Sequence, residues 1–543
     1  MSENTAAGPC CGTAQAAERA GACCDPQARA DAVAEGASCC GPADATAQPA
    51  GGTATRPHPV VVIGAGPVGL AAAAHLHERG LPFVVLEAGD AAGASVRQWG
   101  HVALFSPWRY NIDAAARRLL DAAGWAAPDD EALPTGAELV EQYLQPLAKL
   151  PAIAPHLRLG ARVVAMSRAG ADRVRTAGRA DLPFVVRLAD GTELLAAAVV
   201  DASGTWRTPS PLGADGLPAH GEADAAGLVE HALPDVLGAA RDAHAGRHTV
   251  VVGSGHSAAN TLLDLARLAE TAPGTRITWA VRGGSVQRAF GGEGADELPA
   301  RGALGSGLRA LVETGRVTLV QGFGVHTVRR TGGGVELAAA DGRTLTADRV
   351  VAATGFRPDH GIATELRLDL DPVLGCTRTL AGVIDPNEHS CGTVPPHGHR
   401  ELSHPEPHYY AVGMKSYGRA PTFLMATGYE QVRSVAAALA GDLAAADDVQ
   451  LDLPETGVCS ATLGAENTAR ELAARFRVTP DVPVRLAAAT VALLPAAAST
   501  GDAVRAAAEQ IGLDPETALR MAEAPSVTGL ISLTPAAGGG CCS

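Results

Sequence analysis

Two glycine-rich turns constrain this chain more than any other feature. The first is Gly64-Ala65-Gly66-Pro67-Val68-Gly69. The second, about 190 residues on, is Gly253-Ser254-Gly255-His256-Ser257-Ala258. Each residue type in this pattern has a physical task. The first glycine permits a tight turn. The second lets backbone N–H groups approach a pyrophosphate at a helix N-terminus, and the third small residue lets helix and strand pack closely. One such turn holds one dinucleotide. Two turns in one chain therefore point to a flavin in one half and a nicotinamide in the other.

The context of both turns fits. Val60-Val61-Val62-Ile63 reads as a buried strand, 70–79 as a helix stopped by Gly80, and 83–87 as the next strand. Glu87 ends that strand, where a carboxylate can accept hydrogen bonds from a ribose diol. The expected contacts of the first nucleotide are thus Gly64, Gly66, Pro67, Gly69 and Glu87. For the second they are Gly253, Ser254, Gly255, Ser257 and Arg282. The second strand of that half, 277–281, ends in Arg282 and not in an acid. A carboxylate there would repel a 2′-phosphate and a guanidinium would pair with it, which favours NADPH over NADH. Arg288 is a further candidate partner.

Elsewhere, 138–145 reads as a helix with Pro146 as a kink or stop. Segments 158–165 and 184–188 alternate like strands, with Asp190-Gly191 as a hairpin turn. Apolar strands are predicted at 197–202 and 349–355, a strand at 409–414 and helices at 260–270 and 429–439. Asp201-Ala202-Ser203-Gly204-Thr205 and Ala353-Thr354-Gly355-Phe356-Arg357-Pro358 each follow an apolar strand. With these segments the chain resembles, over roughly 58–442, the flavin-containing monooxygenase-like branch of two-dinucleotide-binding flavoproteins. The resemblance implies an α/β fold with two Rossmann-like dinucleotide-binding domains, a discontinuous FAD domain and an inserted NADPH domain. It places Ser203, Gly204, Thr354 and Gly355 in segments that link the two domains beside the cofactors. It also sets Trp99, in the stretch Trp99 to Trp108, beside the flavin ring; the other reading of that stretch is ordinary aromatic core. Lys415, or a helix N-terminus near Thr427-Gly428, is a candidate to stabilise charge on the reduced flavin, against a reading as a solvent-facing turn. One departure limits the resemblance. The family's Phe-x-Gly-x-x-x-His-x-x-x-aromatic signature is replaced here by Gly216-Leu217-Pro218-Ala219-His220-Gly221-Glu222, so oxygen insertion does not follow from it.

The expected organisation is a flexible arm at 1–56, the FAD domain at 57–245 and 351–443, and the NADPH domain at 246–350. A linker at 444–463, a small C-terminal helical region at 464–530 and a Gly/Cys tail at 531–543 follow. The arm carries no apolar face large enough to offset its ordering entropy. Eight of the eleven cysteines form adjacent pairs: Cys10-Cys11, Cys23-Cys24, Cys39-Cys40 and Cys541-Cys542. Random placement would give about 0.2 such pairs. Neighbouring thiols do not close an easy disulfide, and two soft thiolates suit a thiophilic metalloid such as trivalent arsenic. The plainer reading is a low-complexity arm with incidental thiols. The arrangement is similar to flavoproteins encoded with arsenic-resistance genes, and to mercuric reductases with their terminal cysteine pair. Cys376 and Cys391 lie in the expected core, as buried residues or as a redox pair.

A net charge of −15 argues against nucleic acid or an anionic membrane as partner. The N-terminus lacks a basic and apolar leader, and no apolar run is long enough to span a bilayer, so a cytoplasmic location is expected. Only Lys149 and Lys415 are lysines among forty-three basic residues. Together these features predict an FAD-dependent NADPH oxidoreductase, monooxygenase-like, acting on a small-molecule substrate and linked to metalloid resistance. The alternatives are a metalloid or disulfide reductase using Cys376 and Cys391, and a thiol-rich binding or redox-sensing flavoprotein without turnover.

Overall fold

The computed structural model describes residues 58–451, apart from 232, 292–295, 297, 387–393 and 421–422, and most of 472–522. The arm with its three cysteine pairs, Cys391, the greater part of the expected linker, and the tail with Cys541 and Cys542 lie outside the described residues.

The chain builds the same architecture twice. In the first half, β1 (Val60–Ile63), β2 (Phe83–Leu86), β3 (Leu157–Arg158), β4 (Val163–Arg168), β5 (Phe184–Leu188), β6 (Glu193–Ala196) and β7 (Ala198–Asp201) follow in sequence. The second half supplies β8 (Val229–His231), β9 (His248–Val252), β10 (Arg276–Ala280), β11 (Thr318–Val320), β12 (Val325–Thr331), β13 (Gly334–Ala339), β14 (Thr344–Ala347) and β15 (Arg349–Ala352); β16 (Tyr409–Ala411) comes last. One five-stranded parallel sheet has the order β16-β7-β1-β2-β3, and the other β11-β10-β9-β15-β8. Each is completed by a three-stranded antiparallel sheet, β4-β5-β6 or β12-β13-β14, inserted before the strand that returns beside the first one. In β1, β2 and β7 every residue is buried, as a strand covered on both faces requires. The helices that open the two halves are α1 (Pro67–Glu78) and α2 (His256–Thr271).

The halves differ in the origin of the edge strand. β16 returns to the first sheet from far along the chain, whereas β8 precedes the sheet it joins. The expected boundary at 245 is therefore moved: 229–231, assigned from sequence to the first domain, pairs in parallel with β15 in the second sheet.

Two further expectations change for physical reasons. Pro146 neither stops nor visibly breaks its helix, which runs over 136–149 with a wider π-helical stretch at Leu139–Leu144. Proline offers no N–H to the Gln142 carbonyl four residues back; the Trp125 indole N–H donates to that oxygen instead, at 2.9 Å. Residues 444–448, read from their composition as linker, form the helix Leu443–Asp447 and its cap. α3 (Met425–Leu439) holds it: Arg433 Nη1 donates to Ala445 O at 2.6 Å and Ser434 Oγ to Ala446 O at 2.7 Å. The helical character of the C-terminal region stands, as Asp481–Leu493, Thr500–Ile511 and Pro515–Ala522 around Leu472, Leu486, Val504 and Met521. Asp514 caps the last helix by accepting from Thr517 N at 2.9 Å.

A buried ion triad fastens the first antiparallel sheet to the returning segment of the chain. Arg168 Nε donates to Glu406 Oε1 at 2.7 Å and Arg179 Nη2 to Glu406 Oε2 at 3.0 Å, all three side chains being buried. Burial raises the Glu406 pKa, but the Arg168 guanidinium and the Arg367 N–H outweigh it and leave it below the usual range. A depressed folded-state pKa contributes stability above the unfolded value, and that stability is lost as pH falls through the folded one. Glu406→Ala is expected to cost about 3–5 kcal/mol in urea unfolding at neutral pH, because it leaves two arginines buried without a counter-charge. The difference from wild type should shrink under acid. A variant as stable as wild type at neutral pH would remove this role.

Candidate dinucleotide sites

The first turn is shaped by steric exclusion. Gly64 has φ +100°, and a Cβ there would stand 2.7 Å from the Ala202 carbonyl oxygen. A Cβ on Gly69 would collide with the Gly64 carbonyl. Gly66 is different: a Cβ there would meet nothing within 4 Å. It is the N-cap of α1, with Pro67 in the first turn where its missing N–H costs nothing. The first N–H groups of a helix have no partner within it, and the open space at Gly66 leaves room for an anion to approach them. Glu87 is buried and accepts from Ala65 N and Gly89 N, both at 2.7 Å. It thus braces the turn from below, a role its position in sequence does not reveal, while a carboxylate still has lone pairs over for a diol.

The second turn repeats the first. Gly253 has φ +130°, and a Cβ there would collide with the Ala353 carbonyl. Gly255 caps α2 and again has open space where a side chain would be. The Trp279 indole N–H donates to Gly253 O at 2.6 Å and pins the turn to β10. Ser254 and Gly255 are exposed, and Ser257 is half-buried on the first turn of α2. Arg282 is exposed just beyond β10, with Nη1 donating to Ala214 O at 3.2 Å. The Arg288 side chain lies outside the described residues.

Between the halves, the segments after β7 and β15 bind each other. Ser210 N donates to Gly355 O at 2.8 Å, Thr354 Oγ1 to Ser210 O at 2.7 Å and Arg357 N to Thr208 O at 2.9 Å. The Trp206 and Phe356 rings stack with centroids 5.0 Å apart. Gly204 and Gly355 both take positive φ. Thr354 and Gly355 therefore act in the link itself, while Ser203 borders the first turn. Trp99 packs over Gly136 at the edge of the first core and Trp108 is buried within it, which favours the aromatic-core reading of this stretch. From this stretch Phe105 also reaches the other half, its ring 5.1 Å from the His256 ring at the start of α2. Nothing in the sequence marks that pairing, because it joins residues from different halves.

Lys415 is not a free cation. Its Nζ lies 2.6 Å from Asp201 Oδ2, with both side chains buried. Burial raises the Asp201 pKa, but the Lys415 ammonium and the Ser203 hydrogen bonds bring it below the usual range. The helix N-terminus near Thr427-Gly428 is better placed for a nearby ligand. α3 starts at Met425, and a Cβ on Gly428 would stand 2.6 Å from the Val68 side chain, so the N-termini of α1 and α3 converge. Two positive dipole ends then face one region. Cys376 is buried, and burial followed by Asp371 pushes its thiol up to about 11, against a thiolate nucleophile. Among the described residues no group of three or more potential ligands could hold a metal ion, and no helix is long and apolar enough to cross a membrane.

The profile of the pyridine nucleotide-disulphide oxidoreductases matches residues 58–375, a span that contains both turns and both antiparallel sheets. The chain belongs to this family. It is a family of FAD-dependent oxidoreductases with an α/β flavoprotein fold. A comparison with curated proteins gives no match. Among solved structures, a bacillithiol disulfide reductase from Bacillus cereus has 19% identity and a TM-score of 0.52, over 71% of this chain and 99% of its own. The cadaverine monooxygenase of desferrioxamine biosynthesis from Erwinia amylovora, solved with FAD, has 16% identity and a TM-score of 0.50, over 74% and 98%. At these identities the likeness is one of fold.

The two second-turn glycines separate folding from binding. Gly255→Ala points a methyl group into open space, so thermal stability and flavin content should match wild type while KM for the nicotinamide nucleotide rises about tenfold, roughly 1.4 kcal/mol of lost contact. Gly253→Ala should lose stability in the same thermal scan. Equal kinetics for Gly255→Ala and wild type would show that this turn holds no phosphate.

Proposed function

We propose that the chain is an NADPH-consuming, monooxygenase-like flavoprotein with FAD at the first turn and NADPH at the second. The observation that carries this reading is the pair of matching cradles, open at Gly66 and Gly255, with Arg282 beyond β10 in the second half. FAD, when bound, supplies the two-electron carrier chemistry that protein side chains lack. The chain's own residues hold and orient. Glu87 takes the ribose of the first nucleotide, Arg282 pairs with a 2′-phosphate of the second, and the N-termini of α1 and α3 favour negative charge between them. Phe105 and His256 sit where the halves meet, beside the second cradle.

The substrate side of the proposal rests on the cysteine pairs. Cys10-Cys11, Cys23-Cys24, Cys39-Cys40 and Cys541-Cys542 offer adjacent soft thiolates, which suit trivalent arsenic or a similar species. The buried Cys376, with its raised thiol pKa, weighs against a reductase that works through it.

Steady-state oxidation of NADPH and NADH, with inorganic and methylated arsenicals added in turn, tests both parts. Wild type should prefer NADPH by at least about tenfold, since a charge-assisted phosphate contact is worth about 1.5–3 kcal/mol. Arg282→Glu should abolish that preference, and a trivalent arsenical should raise NADPH consumption. Equal use of both nucleotides by wild type would remove the role of Arg282. Consumption indifferent to every arsenical would remove the metalloid.

A further inference from the structure

A closed hydrogen-bond network lies under the loop that follows β7. Ser203 Oγ lies 2.6 Å from Asp201 Oδ1 and 3.2 Å from Lys415 Nζ. Lys415 Nζ lies 2.6 Å from Asp201 Oδ2, and the Tyr409 hydroxyl donates to the same oxygen at 3.2 Å. The Ser203 backbone N–H also donates to Asp201 Oδ1, at 3.1 Å. Chemistry assigns every direction. An ionised carboxylate only accepts and an ammonium only donates. The one hydroxyl proton of Ser203 is therefore committed to Asp201, and one of its lone pairs to Lys415. Outward, toward solvent, the exposed Ser203 offers a single lone pair and no proton.

Its position gives that lone pair a use. Ser203 Cα lies 3.3 Å from where a Cβ on Gly64 would stand, so the residue borders the first cradle. In the sheet order β7-β1-β2, Glu87 follows β2 and Ser203 follows β7, on opposite sides of the turn after β1. A dinucleotide lying across that turn with its adenosine ribose at Glu87 extends its other half toward Ser203. An oxygen that can only accept would repel a phosphate and requires a donor. Lys415 is one of only two lysines in the chain, and its buried place suits a compact ammonium better than a planar guanidinium fork.

We propose that Ser203, fixed as a hydrogen-bond acceptor by Asp201 and Lys415, receives a hydroxyl of the ribityl chain of FAD. Asp201 and Lys415 are positioning residues in this arrangement. The proposal rests on the assignment of FAD to the first turn.

The test is equilibrium binding of FAD, and of FAD analogues lacking one ribityl hydroxyl each, to full-length apoprotein, read by flavin fluorescence. Wild type and Ser203→Ala are compared; the variant removes one partner each from Asp201 and Lys415 but keeps the Asp201–Lys415 pair and the Ser203 N–H and Tyr409 hydroxyl donors to Asp201, and equal thermal melting of the two apoproteins checks that the fold is retained. Ser203→Ala should weaken FAD binding about tenfold, the scale of one hydrogen bond to a polarised acceptor. One deoxy analogue should weaken binding to wild type by a similar factor and cause no further loss in Ser203→Ala. A merely structural serine would not show that non-additivity. If each analogue loses the same factor in both proteins, the contact does not exist and the proposal falls alone. If wild type takes up no FAD, the assignment of the first turn falls and the proposal with it.

Discussion

In both halves one backbone crossing governs the rest. The first glycine of each turn passes so close to the carbonyl after the neighbouring strand, at Ala202 or Ala353, that no Cβ fits between them. That crossing requires the returning strand, β7 or β15, to lie beside the first strand. It fixes where the helix begins, and so where its unpaired N–H groups point. The same carbonyls open the segments Ala202-Ser203-Gly204-Thr205-Trp206 and Ala353-Thr354-Gly355-Phe356-Arg357, which then bind each other. The link between the halves thus starts at the atoms that shape the two cradles.

The repetition of architecture explains how one chain presents two similar sites with different surroundings. Each half is a five-stranded parallel sheet with a three-stranded insertion, yet their outer strands come from different places. Because β16 belongs to the first sheet, the chain returns there after completing the second, bringing Lys415 and the start of α3 to the first site. Among the described residues the second sheet receives no such late strand. Its distinguishing residues are local: Arg282 after β10 and His256 at the head of α2.

Much of this was legible in the sequence, and the reason is range. The glycine turns, the apolar runs of β1, β2 and β10 and the Asp190-Gly191 hairpin are set by neighbours in the chain, where steric and periodic signals act directly. Contacts across hundreds of residues gave no such signal. Asp201 with Lys415, and Arg168 and Arg179 with Glu406, are invisible until the sheets bring them together. The sequence accordingly offers Lys415 as a candidate cation and gives no sign of the buried carboxylate it is paired with. Pro146 misled because the Trp125 indole that relieves its missing bond lies outside the helix. Residues 444–448 looked like linker because acidic, small residues suit one; Arg400 and Arg433 give them partners.

The proposed chemistry requires that electrons pass from a nucleotide at the second turn to one at the first. Anaerobic mixing of the purified full-length protein with stoichiometric NADPH measures that transfer. The visible flavin absorbance should bleach in a single turnover with wild type, and much more slowly with Gly255→Ala. A protein that is yellow yet keeps its colour under excess NADPH and NADH, or one that is colourless after incubation with FAD, would contradict it.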